Sequence, residues 1–460
     1  MRFFLFIILL LSVGLMAHAQ LPYVRIDSLI LSDIEGGKLR SKPKTVAAYL
    51  PFSVGDSVRL NDLQEQLDLA QQSLLNSRLF KTAVVRVKEW EGKSIILGIE
   101  LDENLGIYPI PMLELADRNF NIWWKSFNFD LRRVNLGLWG LWRNPGGYND
   151  MLKVIGQIGY SPKVELVYIL PPLRNKNAWG YSIEGLWSNN KELAYGVAEN
   201  KRLFYRDLNR KGSQFNRLRF RAGLYFRQDV WSQHQLTLGF HNYGVSDSIF
   251  AQNADFLLGK SQQRDFRLRY SWSKDRRDFR NYPFQGYYLQ AETEKKGLGL
   301  FNELNQWTIG TKLAYYQKFG NDYWSIGGQL SGKLSLLRQK QAFFEQEALG
   351  FEEELVRGNQ YYVIYGQDYL LWRSDINVKL MEWGAEESPF IALHLRYHLD
   401  YGYVWDRFYQ EQGSLVNRSL WGTGPAIDLG LMQYRFVLQF EYSLNQSLET
   451  AFFFRLKMNL

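Results

Sequence analysis

The chain of 460 residues contains no cysteine. That excludes a disulfide framework, a thiolate metal site and a thiol nucleophile. Beyond the first 19 residues there is no run of 18 apolar residues, which excludes helical membrane spans. Catalytic signatures are missing or broken: there is no Gly-x-Ser-x-Gly elbow and no His-Glu-x-x-His helix. Gly327 to Lys333 has the spacing of a phosphate loop, but Leu334 stands where Ser or Thr would meet magnesium, and the stretch reads as strand. Gly422-Thr423-Gly424-Pro425 lacks the third glycine of a dinucleotide fingerprint; its glycines suit a thinned inner wall. His394 and His398 share a face, yet on a strand they lie about 13 Å apart, too far for one metal ion. The residues therefore point to no enzyme, no cofactor and no metal.

What is abundant is aromatic: 15 Trp, 28 Tyr and 30 Phe make up 16% of a chain with a formal net charge of +8. Its mean hydropathy is nevertheless −0.31, whereas a soluble core rich in aromatics would raise hydropathy with them. Residues 1–19 read as an export signal, with Arg2 before the apolar stretch Phe3 to Met16 and Ala17-His18-Ala19 as cleavage site; an uncleaved anchor is the alternative. Residues 20–110 have the grain of a small α+β domain. Val24 to Leu31 reads as a strand and Thr45 to Leu50 as a short helix. Asn61 reads as the N-cap of a helix to Leu79 with Leu63, Leu67, Ala70 and Leu74 on one stripe, followed by strands Ala83 to Val87 and Ser94 to Leu101. The order β-α-α-β-β leaves a sheet edge open to a partner strand.

From residue 111 to 460 the period becomes two. Ile391, Leu393, Leu395, Tyr397 and Leu399 oppose Ala392, His394, Arg396, His398 and Asp400; Leu218, Phe220, Ala222, Leu224 and Phe226 oppose Arg217, Arg219, Arg221, Gly223 and Tyr225. A strand of about ten residues with one apolar and one charged face suits the boundary between lipid and a wet lumen. A soluble sandwich or propeller also alternates, but has no use for so many outward aromatics. Only closure satisfies every backbone group in a bilayer, so a barrel follows. The candidate strands number sixteen: 133–142, 151–160, 164–170, 178–188, 195–205, and eleven more from 216–227 to 450–460. The basic residues Arg217, Arg219, Arg221, Arg227, Arg267 and Arg269 fall on the lumenal parity, which argues against nucleic acid as partner. They suit an anion bias or the acidic stretch Glu352-Glu353-Glu354 of the long connection 337–368.

That connection carries Val356-Arg357-Gly358-Asn359, which resembles the Val-Arg-Gly-Phe/Tyr motif of the sixth extracellular loop in the BamA/TamA outer-membrane insertase superfamily. Leu399-Asp400-Tyr401-Gly402-Tyr403-Val404-Trp405-Asp406 is similar to the family's Phe-x-Asp-x-Gly-x-Val-Trp segment, and Asp275 to Tyr287 to its charged turn ending in Pro-x-x-Gly. Residues 24–103, with Asn76-Ser77-Arg78-Leu79-Phe80-Lys81 and Leu101-Asp102-Glu103-Asn104, are similar to one polypeptide-transport-associated (POTRA) domain. The resemblance implies a mostly β protein: a small periplasmic α+β POTRA domain, then a 16-stranded transmembrane antiparallel β-barrel in the outer membrane. It implies that Arg357 reaches the lumenal acids Asp375 and Asp400, that Gly402 and Trp405 belong to a barrel motif, and that Phe452, Phe454 and Leu460 carry the terminal-strand signal. Asn359 replaces an aromatic, which leads one to expect a looser loop. The implied partners are the lipid bilayer, unfolded outer-membrane polypeptides and periplasmic or lipoprotein accessory subunits. The implied seam lies between 133–142 and 450–460. A porin-like channel and a non-insertase anchor of a surface complex are the alternatives.

Overall fold

A computed structural model describes residues 23–458 except 78, 116–119, 173–177, 207–211, 230, 279–281, 302–303, 321–322, 352–353, 386–387 and 432–435. Residues 1–19, expected to be an export signal, and Leu460 lie outside the described residues. The chain divides into two compact units, one containing the residues to Gly106 with Asn144–Asn149, the other Ile107–Arg143 with Asp150–Leu460.

The first unit comprises β1 (Tyr23–Asp33), α1 (Pro43–Ala47), β2 (Ser57–Arg59), α2 (Leu63–Asn76), β3 (Phe80–Glu91) and β4 (Ser94–Glu103). Its sheet order is β2-β1-β4-β3, with β1 parallel to β4 and β3 antiparallel to it. The central β4 buries Ile95, Leu97, Ile99 and Leu101 on one face, and α2 covers them with Leu63, Leu67, Ala70 and Leu74. This is the apolar stripe that spacings of four, three and four set on one side of a helix. Asn61 is not the N-cap: it lies in a single 3-10 turn, Leu60–Asp62, and the α-helix starts at Leu63 without a side-chain cap. The short β2 covers three residues of β1, while the 12-residue β3 forms the other edge of the sheet.

The second unit holds a 16-stranded antiparallel sheet. In chain order its first five strands are β5 (Ile107–Leu115), β6 (Val134–Arg143), β7 (Met151–Gly159), β8 (Lys163–Leu170) and β9 (Ala178–Asn190). After the small hairpin β10 (Glu192–Ala198) and β11 (Lys201–Arg206) come β12 (Phe215–Arg227), β13 (Ser232–Val245), β14 (Gln262–Asp275), β15 (Gly286–Lys296), β16 (Gln306–Phe319) and β17 (Trp324–Ser335). The long connection carries the short β18 (Glu347–Leu349) and β19 (Ile364–Tyr365), and β20 (Asp368–Ala385), β21 (Ser388–Trp405), β22 (Ser419–Leu431), β23 (Phe436–Asn445) and β24 (Thr450–Met458) complete the sheet. Helices α3 (Phe120–Phe127) and α4 (Asp247–Gln252) lie in connections.

The number sixteen conceals two compensating differences from the sequence reading. The stretch 195–205 is not a barrel strand: among the described residues β10 and β11 pair only with each other around Glu199 and Asn200, both at positive φ (49° and 58°). Two successive left-handed residues make the tight turn whose twist suits a two-residue hairpin. The strand that replaces it is β5, which starts the barrel at Ile107 rather than at 111 and moves the first strand from 133–142 to 107–115. The seam therefore lies between β5 and β24. The described ladder runs unbroken from β24 to β5, and among the described residues no backbone pairing joins those two ends.

The barrel inverts the polarity of a soluble fold. Along β21, Ala392, His394, Arg396, His398, Asp400, Gly402 and Val404 are buried, whereas Leu395, Tyr397, Leu399, Tyr401 and Trp405 are exposed on the outer face. Aromatics cluster outside near strand ends, as in Trp179 with Phe226 (ring centroids 4.7 Å apart), Phe319 with Trp324 (6.1 Å) and Tyr403 with Trp405 (4.5 Å). An apolar outer face with aromatic borders is what a bilayer requires of a barrel. Gly327 to Lys333 lies within β17, as its alternation implied.

Candidate functional site

The long connection between β17 and β20 folds against the inner wall, and its chemistry centres on Arg357. Gly358 takes a left-handed φ of 93°, which turns the chain so that Val356 and Arg357 both face inward and are buried. Arg357 donates its backbone N–H to Asp400 Oδ2 at 2.9 Å and its Nε to the same oxygen at 2.8 Å. A terminal guanidinium nitrogen bonds Asp400 Oδ1, the other bonds Asp375 Oδ1, and Nη2 also donates to the Ser374 carbonyl at 3.1 Å. Among the described residues, Arg357 supplies every hydrogen bond to the Asp400 carboxylate. Burial opposes the charge on Arg357, but Asp375 and Asp400 outweigh it and hold the guanidinium above its ordinary pKa. Planar guanidinium against carboxylate at both Nε and Nη is the strong, oriented form of an ion pair.

The wall is shaped for this loop. A Cβ on Gly422 would lie 1.6 Å from the Arg357 carbonyl oxygen, and one on Gly402 would lie 2.5 Å from Val356 Cγ2. Glycine at these positions lets the loop backbone lie on the strands. Asn359, expected to loosen the loop, is buried and held: its Nδ2 donates to the Trp421 carbonyl at 3.1 Å, and Gln446 Nε2 donates to its Oδ1 at 2.8 Å. A polar anchor replaces an aromatic one.

The pair extends into a network that the sequence reading missed. Arg396 on β21 shares Asp375 (Nη1 to Oδ1, 3.1 Å) and grips Asp428 through Nε (2.7 Å) and Nη2 (3.2 Å). Glu441 on β23 accepts from Gln360 of the loop at 2.9 Å and from Arg455 of β24 at 2.8 and 3.0 Å. From the opposite end, Tyr282 in the turn between β14 and β15 donates its hydroxyl to Asp428 Oδ2 at 2.7 Å. The signal was present in the alternation, because Asp428, Glu441 and Arg455 sit on the inward parity of their strands. What was missing was a partner assignment across strands. His394 packs on Tyr282 and Phe284 at 5.1 and 5.2 Å, and His398 Nε2 contacts Ser443 Oγ at 3.2 Å; each lines the interior.

The predicted lumenal arginines are mostly neutralised by neighbours. Arg219 and Arg221 on β12 share Glu184 of β9 at 2.6 and 3.1 Å. Arg267 binds Asp265 at 2.5 Å and Glu345 of the long connection at 2.6 Å. Among the described residues Glu345 is the loop acid that Arg267 meets, while Glu354 lies 3.7 Å from Lys312; Glu352 and Glu353 fall outside the described residues. Burial pushes the Glu345 carboxyl up, but Arg267 and Lys296 more than offset this and hold it well below the usual range.

The structure thus gathers Val356, Arg357, Gly358, Asp375, Asp400 and Gly402 at one place. Trp405 lies elsewhere, on the outer face and 45% exposed. Phe452 and Phe454 lie on the outward parity of β24, with Phe453 buried against Tyr361.

No protein-family model matches the chain. No curated protein matches it in sequence. Solved structures do share its fold. The crystal structure of BamA from Haemophilus ducreyi lacking POTRA domains 1-3 is similar with a TM-score of 0.58 at 12% identity, over 94% of this chain and 84% of that one. CdiB from Escherichia coli is similar with a TM-score of 0.50 at 12% identity, over 96% of this chain and 91% of that one. CdiB from Acinetobacter baumannii gives 0.50 and 12%, over 95% and 73%. The chain therefore has the BamA/TamA-type fold, built around a sixteen-stranded antiparallel barrel.

Proposed function

We propose that this chain resides in the outer membrane and, without catalysing a chemical reaction, assists the insertion, assembly or translocation of other polypeptides there. The observation that carries the reading is the seam: a barrel with an apolar outer face whose first and last strands share no ladder among the described residues. Such a seam leaves the edge of β24 without a partner strand, and strand edges without a partner recruit other strands. The first unit is read as a periplasmic POTRA-type domain reached after export through the signal at 1–19. Its 12-residue edge strand β3 offers a second place for an extended client to pair. A passive pore is the weaker reading, since the connection around Arg357 and the turn around Tyr282 both enter the lumen and meet the same wall. Depletion followed by an outer-membrane proteome, with conductance of the purified protein in planar bilayers, tests the proposal. Loss of barrel proteins without steady conductance supports it. An unchanged proteome with steady conductance overturns it.

A further inference from the structure

The seam edge of β24 is already occupied, by a side chain that imitates a strand. Asn121, in helix α3 between β5 and β6, is buried, and its carboxamide meets the backbone of Phe454 twice. Phe454 N–H donates to Asn121 Oδ1 at 3.3 Å, and Asn121 Nδ2 donates to the Phe454 carbonyl at 3.3 Å. A carboxamide presenting one acceptor and one donor reproduces what a residue of a paired antiparallel strand would present. Because both backbone groups of Phe454 turn to Asn121, they point away from β23, and by alternation those of Phe452 and Leu456 share that edge. Asn121 therefore marks the free edge and satisfies one position of it.

The first strand is ill suited to do so itself. Pro109 and Pro111 remove two N–H donors at a spacing of two, while β5 keeps an unbroken register with β6 from Ile107 to Leu115. The missing donors must then fall on the other edge, the one that faces the seam. Helix α3 is held there by aromatic contacts. Phe120 meets Phe454 edge-on at 6.1 Å, and the left-handed residues Asn128 and Phe129 (φ 46° and 57°) fold Phe129 back onto Trp123 and Trp124 at 5.1 and 4.3 Å. The anchoring is incomplete. Trp124 is 55% exposed, and a cavity of about 660 Å³ borders the helix, lined by Ile122, Lys125, Tyr361 and Ala451 among others.

We infer that α3 is a displaceable wedge: Asn121 occupies the β24 edge in the resting protein, and an extended polypeptide strand takes its place. The incoming segment would supply a backbone amide where Asn121 supplies a side-chain amide. It would carry apolar or aromatic residues at alternate positions to continue the outer face of Phe452, Phe454 and Leu456. This deepens, and rests on, the assembly reading above.

The test uses the full chain in lipid nanodiscs. Asn121→Leu keeps the side-chain size and removes the amide. It is expected to speed exchange of the Phe454 amide by about tenfold and to tighten binding of a fluorescein-labelled synthetic peptide of residues 450–460 by a similar factor. Tethering Phe120→Cys to Phe454→Cys with a short bifunctional thiol reagent, practicable because the chain has no other cysteine, should abolish peptide binding while heat-modifiable mobility shows an intact barrel. Unchanged exchange at Phe454 in Asn121→Leu, or undiminished peptide binding after tethering, overturns the wedge. Exchange and peptide binding are read without any client-folding assay. A protein that fails to promote client folding yet shows the exchange effect would refute the assembly reading and leave the wedge standing.

Discussion

Arg357 and Asp400 should be coupled far more strongly than Arg357 and Asp375. The Asp400 side chain is fully buried and takes all its hydrogen bonds from Arg357 among the described residues, whereas Asp375 is 25% exposed and keeps Arg396 when Arg357 is lost. Breaking a buried pair from one side costs about 3–5 kcal/mol, while a pair reached by water is worth about 1 kcal/mol or less. Arg357→Met should therefore favour release of the loop by roughly two to three and a half powers of ten, at ~1.4 kcal/mol each. Amide exchange reads this directly at Asn359 and Tyr362, whose N–H groups bond Val356 and Asn359 carbonyls at 3.0 Å in the docked loop. In a double-mutant cycle with Asp400→Leu, the pair of substitutions should cost little more than the worse single one, because two apolar groups no longer leave a buried charge unmatched. The cycle with Asp375→Asn should show a coupling of about 1 kcal/mol. Equal couplings in the two cycles, or unchanged exchange in Arg357→Met, would refute the claim that a desolvated pair pins the loop.

Other outcomes follow from the same geometry. Gly422→Ala places a methyl against the Arg357 carbonyl and should raise loop exchange at a cost of about 1–3 kcal/mol, whereas Gly156→Ala, with open space at its Cβ, should not. Tyr282→Phe removes a hydrogen bond to a carboxylate and should lower the thermal midpoint of the folded barrel on gels by an amount equivalent to about 1.5–3 kcal/mol; no shift would mean the turn contributes nothing. Because the folded-state pKa of Glu345 is depressed by Arg267 and Lys296, its contribution is present above about pH 4.3 and is lost only as the pH falls well below that value. Protease sensitivity of the connection should accordingly stay flat between pH 7 and 5, and Glu345→Gln should raise it throughout that window.

The sequence displayed most of the barrel because a strand between lipid and lumen separates its residues by a strict period of two, and β21, β22 and β23 are nearly unmixed. It concealed β5 for the same reason. Ile107, Pro109, Pro111 and Leu113 face one side and Tyr108, Ile110 and Met112 the other, so both faces are apolar and two prolines speak against a strand. The hairpin β10–β11 misled because together its two arms have the length of one barrel strand; the four polar residues Glu199 to Arg202 interrupt the alternation, and the positive φ of Glu199 and Asn200 shows the reversal. At the site, one arginine and two inward acids were legible from parity together with the family resemblance. Arg396, Asp428, Glu441, Arg455 and Tyr282 were not, because cross-strand register and the path of a turn into the lumen are tertiary facts. Asn121 was the least visible: one of three asparagines in an aromatic connection, it acquires meaning only when the last strand is found beside it.

The most direct measurement of the central claim is reconstitution. A urea-unfolded outer-membrane barrel protein is diluted into liposomes with and without this chain, and its folding is followed by heat-modifiable mobility on gels. Folding should be faster with the intact chain, and that acceleration should be lost when Phe120→Cys is tethered to Phe454→Cys. Equal folding rates with and without the intact protein would contradict it.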